Sequence, residues 1–346
     1  MPKRILLLVA ALALAGTSVA FTPSPGHREL SWQLTPTGST ARLRGLSVVS
    51  SSVVWASGAG TVLRTVDAGA TWQAVTPPDT EALLFRDVEA FDAQNALILA
   101  IGFGDASRVY RTSDGGQTWA LTFLNDDPNA FYDCMAFFDK DRGLALSDPV
   151  DGFFRIIATS NGGRTWRVVD ADMPPALTDE FAFAASGQCL TTAGGRDAFF
   201  GTGGQDEARV FHSGDRGESW QVTTTPMHSG PVAGIFALAF RDPRHGLASG
   251  GDLDFPSDSP DALALTDDGG ASWELADGPD EYRSGAHWVN GRVALIVGPT
   301  GSDVTQDAGD SWRRIDDGSF DTVDCAGGWT CWASGEQGRA AFLVRH

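Results

Sequence analysis

Residues 112–119 read TSDGGQTW. Taken alone they suggest a loop that holds a metal ion or a sugar, but the same pattern, Ser/Thr-x-Asp-x-Gly-x-Ser/Thr-Trp, recurs along the chain. The other copies are TVDAGATW (65–72), TSNGGRTW (159–166), SGDRGESW (213–220), TDDGGASW (266–273) and TQDAGDSW (305–312). Asn161 replaces the aspartate found as Asp67, Asp114, Asp215, Asp268 and Asp307. The closing tryptophans, Trp72, Trp119, Trp166, Trp220, Trp273 and Trp312, are spaced 47, 47, 54, 53 and 39 residues apart. A period of that size belongs to propellers and comparable repeat arrays.

Between successive tryptophans the order of elements repeats. In the first unit "RLRGLSVV" is followed by "SVVWASG", then "GTVLRT", then the turn, then "TWQAV". These short β-branched and aromatic runs, bounded by Gly, Asp and Ser, read as strands and turns. Outside residues 1–20 no segment sustains a helical period. Four strands per unit is the content of a propeller blade. After Trp312 only three strands remain, "FDTVDCA", "WTCWASG" and "GRAAFLVRH". The fourth is expected from the other terminus, where residues 30–35 in "LSWQLTP" place Trp32 40 residues before Trp72. The expectation is an all-β, seven-bladed propeller over residues 21–346, closed by the N-terminal strand so that no long edge stays unpaired.

Physical chemistry assigns the repeated turns to the scaffold. The aspartate accepts backbone N–H groups, the glycine supplies a positive φ, and the hydroxyl secures the next strand. All of these are local needs, which explains their recurrence in every unit. The tryptophan that follows is expected to pack between neighbouring blades.

The N-terminus, MPKRILLLVAALALAGTSVA, has a basic start at Lys3 and Arg4, an apolar run and a small-residue end at Ala20, the pattern of a cleaved secretory signal peptide. No other stretch is long enough to span a bilayer. Without residues 1–20 the chain would keep 23 basic against 44 acidic side chains, so nucleic acid and anionic membranes are not expected partners. An oxidising compartment permits disulfides. Cys325 and Cys331 flank a hairpin tip, CAGGWTC, and are expected to pair; Cys134 and Cys189 remain by arithmetic alone. No Cys/His cluster, HxH or HExxH spacing suggests a metal, and Gly102-Phe103-Gly104 leads into a strand rather than the helix of a dinucleotide loop. No cofactor is expected, and the chain reads as a monomer.

The turns resemble the Asp-box, or bacterial neuraminidase repeat. The longer unit, with its Gly/Trp-Ala-x-Gly before the third strand, is similar to the photosystem II stability and assembly factor family over nearly all of residues 30–346. That resemblance implies a seven-bladed, non-catalytic protein that binds a partner protein during assembly of a complex. Sialidases are also similar in their turns, but their early Arg-Ile/Leu-Pro signature is absent here, and of three tyrosines only Tyr132 and Tyr282 are placed to reach a channel. The Asp-box xyloglucanases imply paired carboxylates such as Asp133 with Asp148 or Asp321, but those enzymes join two propellers. A glycoside hydrolase is therefore the alternative function.

Propellers recognise ligands with loops at a channel mouth, here the face opposite the repeated turns. That face is expected to collect Arg42, Arg44, Arg86, Asp133, Glu180, Tyr282, Arg283 and Asp321 from the starts of inner strands. From loops between second and third strands it should collect Asp148, Asp151 and Arg196. Arginines and carboxylates converging from several blades suit a protein partner or a polar ligand. Asp252, Asp254 and Asp258 leave calcium open, although their loop lacks the glycine and terminal glutamate of an EF-hand.

Overall fold

A computed structural model describes residues 29–346. The expected signal peptide lies outside them. Seven four-stranded antiparallel sheets form the ring. Their innermost strands are Leu43–Val48, Leu84–Ala90, Tyr132–Phe137, Leu190–Ala193, Ala233–Phe240, Gly285–Trp288 and Thr322–Cys325, which begin blades one to seven. Closure follows the sequence expectation. Leu30–Thr35 pairs antiparallel with Ala340–Arg345 in continuous register from Leu30 opposite Arg345 to Thr35 opposite Ala340. The indole of Trp32 then donates to Ser302 Oγ of blade six at 3.0 Å, tying the closing strand to a second blade.

The core is a set of seams. Each of seven apolar clusters draws residues from two neighbouring blades. Leu97 and Leu99 of blade two, for example, pack with Met135, Ala145 and Ile157 of blade three. This follows from strand periodicity, because both faces of every sheet are covered and both must be apolar.

The repeated turns share one hydrogen-bond pattern. In the first, Thr71 donates to Asp67 from both its backbone N–H (2.8 Å) and its hydroxyl (2.6 Å), while Gly69 N–H donates to Thr65 Oγ1 at 2.9 Å. Asn161 keeps the frame with one bond reversed, its Nδ2 donating to Thr165 Oγ1 at 2.8 Å. The turn glycine also sets the seam: at Gly163 φ is +73° and a Cβ would stand 2.0 Å from Leu97 of the preceding blade. Trp220 and Trp273 are buried, whereas Trp72, Trp119, Trp166 and Trp312 are only partly covered. Trp72 meets Trp332 of blade seven edge-on at 5.9 Å, and Trp119 meets Trp55 of blade one at 6.3 Å.

Blade four departs from the repeat. Residues 181–189 do not extend its inner strand but turn into the central channel, with Gly187 at φ +77°. Gln188 crosses that channel: its amide nitrogen Nε2 donates to Ala286 O (3.1 Å) and Val323 O (2.9 Å), and its Oε1 accepts from Ala286 N–H at 3.0 Å. Cys189, next along, is bonded to Cys134 on the inner strand of blade three, and Cys325 is bonded to Cys331 across the blade-seven hairpin. Among the described residues no helix is long and apolar enough to cross a membrane.

Candidate binding site at the channel mouth

Four inner strands carry the same irregularity near their starts. The register slips by one residue at Arg44, Arg86, Asp133 and Phe236, in blades one, two, three and five. A bulge leaves its extra residue outside the ladder and re-aims its side chain. All four of these side chains line one cavity of about 320 Å³ at the mouth, with Phe131, Asp148, Phe181 and Phe183 among the other walls. Phe183 stacks on Phe236 with ring centroids 3.9 Å apart, and Phe181 lies edge-on to Phe183 at 4.8 Å. The channel-entering segment of blade four therefore supplies an aromatic floor.

The two arginines sit on adjacent blades and are half-buried. Arg86 donates to Ala184 O at 3.3 Å, and among the described residues the Arg44 side chain makes no hydrogen bond and neither arginine has a carboxylate within ion-pair range. Burial, followed by the charge of Arg44, pushes the Arg86 guanidinium down to about 10, and burial lowers Arg44 as well. Both remain protonated at neutral pH and are short of counter-charge. The carboxyls opposite them behave the other way. Burial raises Asp148 to about 7; burial and the neighbouring Asp148 raise Asp133, whose Oδ2 is buried without a hydrogen-bond partner. The pair keeps a proton at neutral pH and so offsets the two guanidiniums only in part.

Other candidates are committed elsewhere. Arg42 binds Asp321 bidentately, at 2.8 and 2.6 Å. Arg283 is buried against Asp303, with Nη2 to Oδ2 at 2.6 Å, and also reaches Glu281. Glu180 is buried against Arg209 and Thr202. Tyr282 packs edge-on against Phe236 at 4.7 Å, and burial pushes its phenol up. Asp151 stands exposed in a tight turn with φ +54°, away from the cavity.

Arg196 is a correction. Because residues 181–189 enter the channel, Leu190–Ala193 becomes the inner strand and Gly194-Gly195-Arg196 becomes the turn after it. Arg196 accordingly lies on the side of the repeated turns, its carbonyl accepting from Arg216 N–H of the blade-four turn. Asp252 accepts the Asp254 N–H at 2.8 Å, and among the described residues no group of three or more His, Cys, Asp or Glu side chains has a metal-holding arrangement.

The aromatic part of the cavity, Phe131, Phe181, Phe183 and Phe236, lies outside the charged set that the sequence points to. The unalternating run FAFAAS at 181–186, where a strand should begin, was the available signal.

These features define a class, the seven-bladed β-propeller with a charged and aromatic mouth. No protein-family model and no curated protein matches the chain. Solved structures do. The chain is similar to YCF48 bound to D1 peptide, at 16% identity and TM-score 0.65, covering 90% of this chain and 95% of that one. It is similar to YCF48 from Cyanidioschyzon merolae at 15% identity and TM-score 0.67, covering 91% and 99%. The GH74 xyloglucanase from Xanthomonas campestris is similar at 14% identity and TM-score 0.61, with 90% of this chain covering only 53% of that one. The resemblance expected from the repeated units is thus borne out in architecture, and at these identities the likeness is one of fold.

Proposed function

We propose that this protein is an exported, non-catalytic binding module that takes an acidic peptide segment of a protein partner at its channel mouth. The carrying observation is the pair Arg44 and Arg86, two half-buried guanidiniums lacking carboxylate partners and facing an aromatic-walled cavity. A ligand carboxylate entering between them exchanges water for charge-assisted hydrogen bonds in a partly desolvated setting. A similar fold, YCF48, binds a D1 peptide, which supports a peptide as the ligand class. The formal charge of −19 argues against nucleic acid. The basic-apolar-small N-terminus and the two disulfides support export; fractionation of cells expressing the tagged full-length chain tests it.

The binding claim is tested by calorimetric titration of acidic peptides into the protein and its Arg44→Ala and Arg86→Ala variants. Each variant is expected to lose about tenfold or more in affinity while melting at the same temperature. Unchanged affinity in both overturns the reading.

The Asp133 and Asp148 pair favours one second reading, a glycoside hydrolase, since a buried carboxyl that keeps its proton at neutral pH is what a general acid requires. Turnover of xyloglucan oligosaccharides or sialosides that vanishes in Asp133→Ala would establish that reading over the first.

A further inference from the structure

The mouth face is divided into two unlike halves. Over blades six and seven its charged groups are closed upon one another, and Arg42 of blade one is drawn into the same set. Arg42 holds Asp321 and Glu336, while Arg283 and Arg314 share Glu281 and Asp303. Over blades two to five large apolar side chains stand exposed among loop carboxylates such as Asp105, Asp254 and Asp258. Of the twelve large apolar side chains that stand exposed among the described residues, seven lie on this face between Leu84 and Phe255, against Leu34 alone over blade seven, beside Glu336. Phe103 is 66% exposed and Phe255 63% exposed. Phe103 leans edge-on against Phe131, a cavity wall, at 5.2 Å, and Leu253 lines the cavity itself. Exposed apolar groups are therefore continuous with the site of Arg44 and Arg86 rather than scattered.

From this we infer that the partner segment lies across blades two to five and the Arg44 edge of blade one, leaving blades six and seven uncovered, and that it is amphipathic: an acidic group meets Arg44 and Arg86 while bulky apolar side chains cover Phe103 on one flank and Leu253 with Phe255 on the other. The inference rests on the binding function proposed above and adds the footprint and the partner's apolar half. Charge fixes the choice of occupant. The chain as a whole carries −19, so a plain polyanion is repelled by the body of the protein before it reaches two arginines. Apolar contact supplies attraction that this repulsion and added salt do not remove.

The test uses fluorescence anisotropy with three labelled probes: a peptide alternating glutamate and phenylalanine, polyglutamate of equal length, and a peptide alternating glutamine and phenylalanine. The first is expected to bind at least about tenfold more tightly than either other. A Phe103→Ser/Phe255→Ser double variant should lose about tenfold for that probe without a change in melting temperature, and Asp317→Asn, on the closed half, should bind as wild type. Polyglutamate binding as tightly as the alternating acidic peptide overturns the inference. So does a double variant that binds normally while Arg86→Ala does not, an outcome that leaves the binding function standing. If neither Arg86→Ala nor the double variant weakens binding, both fall.

Discussion

At the scale of single residues, one side chain type can serve opposite ends, and context decides which. Asp114 and Asp268 sit in repeated turns, where side-chain and backbone hydrogen bonds from Thr118 and Ser272 hold their carboxyls near 2. Asp148, buried at the mouth, is raised to about 7. The arginines divide in the same way: Arg209 is sealed against Glu180, while Arg86 is left without a carboxylate. Breaking the sealed pair is expected to be costly. Arg209→Met should destabilise the protein by about 3–5 kcal/mol in urea unfolding, because Glu180 would remain buried and uncompensated. Trp220, buried in the seam between blades three and four, tests packing instead. Trp220→Ala should cost about 3–5 kcal/mol by leaving a cavity, and an unchanged midpoint would contradict the seam. The six turns, with Asn161 as a variant, were legible because their bonds are local. The fate of each arginine was not, since Arg42 and Asp321 lie 279 residues apart and meet only once the ring has closed.

At the scale of elements, the segment 181–189 governs the site. It brings Phe181 and Phe183 to the cavity, places Gln188 across the channel, and is anchored by the disulfide between Cys189 and Cys134, which closes a separation of 55 residues. Removing that link in Cys134→Ser/Cys189→Ser should lower stability by roughly 2–4 kcal/mol. It should also weaken the acidic-aromatic probe more than Cys325→Ser/Cys331→Ser does, because the blade-seven hairpin lies away from the cavity. Equal effects on binding would detach the segment from the site. The strand grammar of six blades could be read from composition alone. Blade four could not, because an apolar run that enters a channel and one that lines a sheet have the same composition.

At the scale of the whole molecule, closure and proton balance make two further predictions. Removing Leu30–Thr35 exposes the full ladder edge of Ala340–Arg345 and uncovers part of the seam between blades six and seven. The truncated chain is expected to unfold with lower cooperativity and to aggregate, as seen in calorimetry and light scattering. The pH dependence follows from the buried carboxyls. Asp87 and Asp148 are raised to about 7 in the fold against an ordinary 3.8. Between about pH 4 and 7 the unfolded chain has released these protons while the fold retains them, so stability declines as pH rises through that window. Asp114 and Asp268, held near 2, act in the opposite sense and lose their contribution as pH falls from about 4 toward 2. The melting temperature should therefore be highest near pH 4 to 5 and lower at pH 8; a maximum at pH 8 would contradict the assignment.

By itself the sequence determined the number of blades, the position of the repeated turns and the closing role of residues 30–35. Those depend on hydrogen bonds within a few residues and on a hydrophobic period that every unit repeats. Only the tertiary structure decided which charged groups remained open to a ligand. Whether Arg44 or Arg283 is neutralised depends on neighbours brought beside it by the curvature of the ring, and on bulges that turn four residues from four blades toward a common point.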